Sequence, residues 1–301
     1  MMLASHHSHS GQFCKHAVGT LEEVVRAAIA TGFKVYGLTE HVPRYRREDL
    51  YPEEINIEPA DLSHTFDLYL KEAHRLKVAY ADQITLIVGL ETDFITLNDL
   101  DQLEALLVGY PGQIEYVVGS VHHCNGIPID FDKPTFEKSV ASFVDSPSTV
   151  NDIAPTPTQI SYLNTYFDAQ LQLMERIHPE VIGHFDLCRL YTPNLSLHAV
   201  WPRVERNVKY AIEYGAVFEL NAAAFRKGWD SAYPGREIVE LIKSLGGGFV
   251  LSDDSHGPAA VGLNYDRLLA YVQDMNIEKV THLESRTQPS KSGRRIHPAY
   301  S

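Results

Sequence analysis

The sequence predicts an α/β protein built as a (β/α) barrel. Three observations carry that reading. Short apolar runs recur along the chain, helical patterns separate them, and seven or eight such β-α units fit within residues 1–285 of a 301-residue chain. That number of units points to a closed barrel rather than an open sheet, and the length suits one large domain.

The apolar runs lie near Met2–Ala4, Val35–Leu38, Ile84–Leu90, Tyr116–Val118, Val181–Ile182, Ala216–Leu220 and Gly248–Leu251, with an eighth candidate at Lys279–Leu283. Uninterrupted runs of this kind suit parallel strands covered on both faces. Thr20-Leu21-Glu22-Glu23 has the capping-box pattern and opens a helix through Ala30, with Gly32 as its stop. Helical patterns follow at Asp61–Ala81, Asn98–Val108, Gln159–Ile177, Leu197–Tyr214, Gly235–Leu245 and Asp266–Met275. Residues 124–158 break the rhythm with Pro128, Pro134, Pro147, Pro155 and Pro157. The segment is too long for an ordinary connection, and reads either as a lid over the barrel mouth or as a passive insert. The tail 286–301 is polar, basic and aperiodic, the pattern of a flexible terminus.

Composition narrows the function classes. Lys and Arg total 26 against 39 Asp and Glu, a formal charge of −13. Such a surface repels phosphate backbones, so no nucleic-acid partner is expected. No window reaches the roughly 18 apolar residues of a membrane span. Cys14, Cys124 and Cys188 include no C-x-x-C pair, which indicates neither a disulfide framework nor a cysteine zinc site, and packing is their expected role. Met1–His6 has no basic region and no apolar stretch of signal length, so a reducing cytoplasm is expected.

Histidine is the outlier, with 15 residues. His7-Ser8-His9 follows the first strand, and residues i and i+2 on a strand face the same way. His41 follows the second, Glu91 ends the third, His122 and His123 follow the fourth, and His184 follows the fifth. Glu219 and Asn221 end the sixth, while Asp254 and His256 follow the seventh. His16 lies a short loop beyond the first strand. Each signal alone is weak, since a single D-x-H is often a helix cap beside a surface histidine. Their placement after successive strands is what counts, because parallel strands converge on one mouth where barrel active sites are built. Seven imidazoles with two carboxylates suit Zn, Fe or Mn, and nine ligands fit two or three ions. His64, His74, His178, His198, His282 and His297 read as solvated or satisfied groups, and His6 should point away from the His7 face. His123 is left between a site role at the mouth and packing.

The ordered motifs SHHSHSGQFCKHAVGTLEE, GLTEH, GLETDF, GSVHHCNGIPIDFD, VIGHFDLCRL, VFELNAAAFRKG and LSDDSHGP resemble the polymerase-and-histidinol-phosphatase (PHP) family of metallo-phosphoesterases, in particular its monofunctional histidinol-phosphatase branch. The resemblance runs from about His7 to Gly262. It implies a distorted TIM-like (β/α)7 barrel with a trinuclear metal centre at the mouth. It assigns His7, His9, Glu91 and Asp254 to one ion, His16, His41 and His256 to a second, and bridging Glu91 with His122 and His184 to a third. Glu219 and Asn221 would act behind the ligands or touch the substrate's amino end. Arg189 and Arg226 would bind phosphate, as a guanidinium matches it bidentately, with Lys227 a weaker candidate. Ala222-Ala223-Ala224 departs from the Thr-Ser-Gly-like residues of many relatives, which leaves the details of substrate contact open.

The implied reaction is metal-dependent hydrolysis of L-histidinol phosphate, a step of histidine biosynthesis, with Asp254, His256 or a water protonating the leaving oxygen. Three alternatives stay open. One is a related phosphoesterase acting on nucleotides or phosphotyrosine. Another is a metal-dependent amidohydrolase, disfavoured because His122 stands where those enzymes commonly carry a bridging Lys. The last is a binding protein with a structural metal cluster.

Overall fold

A computed structural model describes residues 2–143, 150–278, 280–285, 292–294 and 296–300. Seven parallel strands form its centre: β1 (Ala4–Ser5), β2 (Val35–Leu38), β3 (Thr85–Glu91), β4 (Tyr116–Gly119), β5 (Val181–Ile182), β6 (Val217–Asn221) and β7 (Gly248–Ser252). Their order in the sheet is their order in the chain. The circle nearly closes where the His6 N–H donates to Leu251 O (3.1 Å) and the Asp253 N–H to Ser5 Oγ (3.1 Å). This is the expected distorted (β/α)7 barrel.

The helices form where capping and periodicity place them. In α1 (Leu21–Thr31) the Thr20 hydroxyl accepts from Glu23 N–H, the Glu23 carboxylate accepts from Thr20 N–H, and Gly32 ends the helix at φ 93°. Around the barrel follow α2 (Pro59–Ala79), α3 (Leu97–Gly109), α4 (Lys133–Ala141), α5 (Pro157–Ile177), α6 (Trp201–Tyr214), the short α7 (Ala223–Arg226), α8 (Arg236–Ser244) and α9 (Tyr265–Asp274). Their apolar faces meet the outer face of the barrel in one large core that includes Leu21, Tyr69, Tyr166, Val208 and Leu268.

A second, smaller core fills the barrel itself: Ala4, Val35, Ile87, Tyr116, Val118, Val181, Val217 and Val250. Tyr116 is fully buried there. A Cβ on Gly37 would lie 2.0 Å from its hydroxyl, and one on Gly89 2.5 Å from its ring, so both glycines make room for this side chain.

Two sequence expectations change. The eighth apolar run is not a barrel strand. It contributes to β8 (Thr281–Ser285), which pairs antiparallel with β9 (Ile296–Tyr300), so this part of the tail is held in a hairpin rather than loose. Leu283 and Ile296 complete the barrel's inner core, and Leu283 N–H donates to His6 Nε2 (3.0 Å). The segment 124–158 includes a small hairpin (His123–Cys124 with Ile127–Pro128), α4 and the start of α5. Pro147, one of the prolines that marked it as lid or insert, lies outside the described residues.

Candidate metal centre and cavity

The ends of the strands bring the sequence-selected residues together around Glu91, the last residue of β3 and almost wholly buried. Its two oxygens face different partners. Oε2 lies 3.1 Å from His7 Nε2, 3.3 Å from His9 Nε2 and 3.1 Å from His41 Nδ1. Oε1 lies 3.2 Å from His122 Nε2 and 3.0 Å from His184 Nε2. Asp254 Oδ1 stands 3.8 Å from His7 Nε2 and 3.6 Å from His9 Nε2. His256 comes beside His9 because Ser255-His256 pairs in register with Ser8-His9 as two short parallel strands. His16 lies tilted beside His41 and His256, with ring centroids 5.4 and 5.1 Å away.

Asp254 sits at φ 47°, in the left-handed region that a non-glycine residue adopts at some cost. Arg226 holds this turn by donating to Asp253 O (2.7 Å) and Asp254 O (2.8 Å). Buried Asp253 braces it from below, accepting from Ser5 Oγ, the Tyr36 hydroxyl and Gly262 N–H.

The electrostatics are those of a site short of positive charge. Burial raises the Glu91 carboxyl, but His7, His122 and His41 outweigh it and hold it well below the ordinary carboxylate range. Burial lowers His9, yet Glu40 and Glu91 bring it up to about 9. Burial and the neighbouring His9 keep His41 well below its ordinary value and His256 at about 3. Several buried imidazole nitrogens have no hydrogen-bond partner among the described residues: His7 Nε2, His9 Nδ1 and Nε2, His41 Nδ1 and Nε2, His122 Nδ1 and His184 Nδ1. Buried polar atoms without partners are costly and rare. Convergent, unpartnered nitrogens around carboxylates form a donor set for divalent ions with mixed N/O preference. Among the described residues, four all-His/carboxylate groups are compact enough to hold one: His7, His9 and Glu91; Glu91, His122 and His184; His9, Asp254 and His256; and His7, His184 and Glu219. A fifth joins His16, His41 and His256 with Cys14, whose Sγ lies 3.1 Å from His16 Nε2.

A cavity of about 390 Å³ opens above these groups. Arg226 and Lys227 line it, as do Glu53, Asp130, Tyr51, Phe131 and Tyr233. From the 124–158 segment, Asp130 and Phe131 therefore reach the site. Arg189 does not. It is buried and held by Asp186 (2.6 Å), Glu237 (2.8 Å) and Leu195 O (3.0 Å). His123 is buried beside the site with Nδ1 3.0 Å from Asp93 Oδ1. Glu219 and Asn221 are fully buried behind the ligands. Burial raises the Glu219 carboxyl, but His7 and His184 outweigh it and hold it below the ordinary range.

Sequence reasoning missed Asp93 and Glu40, while Cys14, expected to pack, is buried with its Sγ beside His16. Asp93 was recoverable, as it stands two residues beyond Glu91 where the chain leaves β3 at the mouth. Glu40 directly precedes His41 but reaches back to His9, with Oε2 3.7 Å from its Nδ1, a contact between strands that local spacing cannot show.

A barrel whose strand ends gather histidines around a buried carboxylate is the architecture of a class of metal-dependent hydrolases. The PHP domain matches residues 5–223, and the chain belongs to that family. It is 45% identical over 289 residues to the probable histidinol-phosphatase of Schizosaccharomyces pombe, covering 94% of this chain and 90% of that protein. With the histidinol-phosphatase of Saccharomyces cerevisiae it shares 33% identity over 322 residues, covering 95% and 92%. The crystal structure of histidinol phosphate phosphatase from Lactococcus lactis, in complex with zinc, L-histidinol and phosphate, has the same fold, with a TM-score of 0.63 at 15% identity over 98% of each chain.

Proposed function

We propose that this protein is a histidinol-phosphatase, hydrolysing L-histidinol phosphate to L-histidinol and phosphate. Family membership and the named relatives support the reaction class. The observation that carries the reading is Glu91, whose two oxygens divide five imidazoles into two sets. His7, His9, Glu91 and Asp254 would hold one ion, His16, His41 and His256 a second, and Glu91, His122 and His184 a third. When bound, divalent ions supply Lewis acidity toward a phosphoryl oxygen and lower the pKa of water.

The chain's own side chains do the rest. Arg226 and Lys227 face the cavity as the cations for a phosphate. Tyr51 and Phe131 are stacked with centroids 5.9 Å apart, an aromatic wall for an imidazole. Glu53 and Asp130 on the same wall complement an ammonium group. Asp254 and His256 face the cavity with Oδ1 and Nδ1 3.6 Å apart, on the side where a phosphoryl group would meet the ions.

The test is phosphate release from histidinol phosphate, a nucleoside monophosphate and phosphotyrosine side by side, with metal content measured on the same preparation. A strong preference for histidinol phosphate is expected. Equal, feeble turnover of all three would sink the assignment. His122→Ala or Glu91→Ala should abolish turnover with the fold retained.

A further inference from the structure

Glu219 has a bonding pattern that only one kind of side chain can satisfy. Its Oε2 accepts from His7 Nδ1 at 3.0 Å. Its Oε1 accepts from two donors, the His184 backbone N–H at 2.5 Å and Asn221 Nδ2 at 2.8 Å. All three partners donate and none accepts. The same Asn221 amide continues to Asp254 Oδ2 (3.3 Å), and its Oδ1 is fixed by Ala223 N–H (2.7 Å). The bracket thus reaches ligand candidates from three strand ends, yet Glu219 and Asn221 are fully buried and stand behind the cavity. Glu219, His7 and His184 are close enough to form a metal group of their own, but both Glu219 oxygens are already occupied by donors.

We propose that Glu219 is the positioning residue that sets the tautomer of His7, and that Asn221 passes the same constraint to Asp254. A carboxylate at Oε2 keeps the proton on His7 Nδ1 and leaves the Nε2 lone pair facing Glu91 and Asp254, where an ion would be held. Asn221 occupies one oxygen of Asp254 and leaves Oδ1 for the same ion. The inference rests on the ion assignments of the proposed function but not on its substrate.

An amide cannot do this. If the oxygen of a Gln at 219 serves His184 and Asn221, its NH2 group faces His7 Nδ1. His7 must then accept there and carry its proton on Nε2, which blocks the ligand position. The opposite amide orientation sets NH2 against two donors. Glu219→Asp, shorter but still accepting at both oxygens, keeps the correct tautomer. The carboxylate's charge and acceptors matter more here than its length.

The experiment strips the protein with a chelator, reloads it with excess zinc, removes unbound metal and counts zinc per chain. Glu219→Gln is expected to hold one ion fewer than the wild type, and Glu219→Asp the full number. Asn221→Leu is expected to keep the number but lose an ion to a competing chelator about 10–100-fold more readily. A role in packing alone gives the opposite order, with the isosteric Gln tolerated better than Asp. A full zinc complement in folded Glu219→Gln would overturn the inference. If that variant does not fold, unchanged chelator resistance in Asn221→Leu overturns it. The zinc count needs no substrate, so a protein that binds zinc normally yet ignores histidinol phosphate refutes the proposed function and leaves this inference standing.

Discussion

Arg189 and Arg226 show how one side chain takes two duties. Arg226 is half-buried, lines the cavity and braces the backbone of the Asp254 turn. Arg189 neutralises Asp186 inside the protein and lies over Trp229. Arg226→Ala should therefore lower kcat/KM by about 10²-fold, the usual loss when one charge-stabilising donor is removed, and steady-state kinetics will show it. Arg189→Ala should leave KM nearly unchanged but reduce stability by about 3–5 kcal/mol, because Asp186 is left buried without its partner. Urea unfolding measures that loss, and a raised KM at unchanged stability would return Arg189 to the substrate. The sequence could not separate the two. Each lies five residues after a strand-end residue, and only the tertiary position of Glu237, 48 residues from Arg189, shows which one turns away from the mouth.

At the scale of elements, the strands were legible because buried parallel strands need continuous apolar runs, and the site was legible because its ligands sit directly after them. The C-terminal hairpin was not, since β9 contains Pro298 and a basic stretch precedes it, which locally reads as loop. His16 is intermediate, as its loop position carries no strand register and its place beside His41 and His256 depended on the family resemblance. Packing between strands makes a sharper prediction. The Tyr116 hydroxyl donates to His6 O (2.8 Å) and fills the space beside Gly37. Gly37→Ala should cost about 1–3 kcal/mol through overpacking. Tyr116→Phe alone should cost about 1 kcal/mol for the lost hydrogen bond. The double variant should lose less than the sum of the two, because removing the hydroxyl relieves the nearest contact and leaves only that with the His6 backbone (2.9 Å), and a double-mutant cycle reads the difference. Strict additivity would show that the two positions do not share this space.

For the whole molecule, the proposed ligands come from the ends of β1, β2, β3, β4, β5 and β7, so bound ions tie together nearly the full circle of strands. Chelation should abolish activity and also lower Tm by several degrees, since ions bind the folded chain and not the dispersed ligands of the unfolded one. Thermal scans before and after chelator, and after zinc is restored, test this, and an unchanged Tm would mean the ions add nothing to stability. The overall charge of −13 fits the same picture, as bound cations offset it where phosphate must approach.

The hairpin at the barrel floor has a consequence for how the protein is made. His6, near one end of the chain, finds its Nε2 partner only in Leu283, 277 residues later. Ile296 adds the last apolar side chain to the inner core. A nascent chain therefore holds its first strand with an incomplete interior until the final strands leave the ribosome. Contacts of such sequence separation close slowly and leave apolar surface exposed meanwhile. Translation that stalls before residue 283 should yield a chain that chaperones retain.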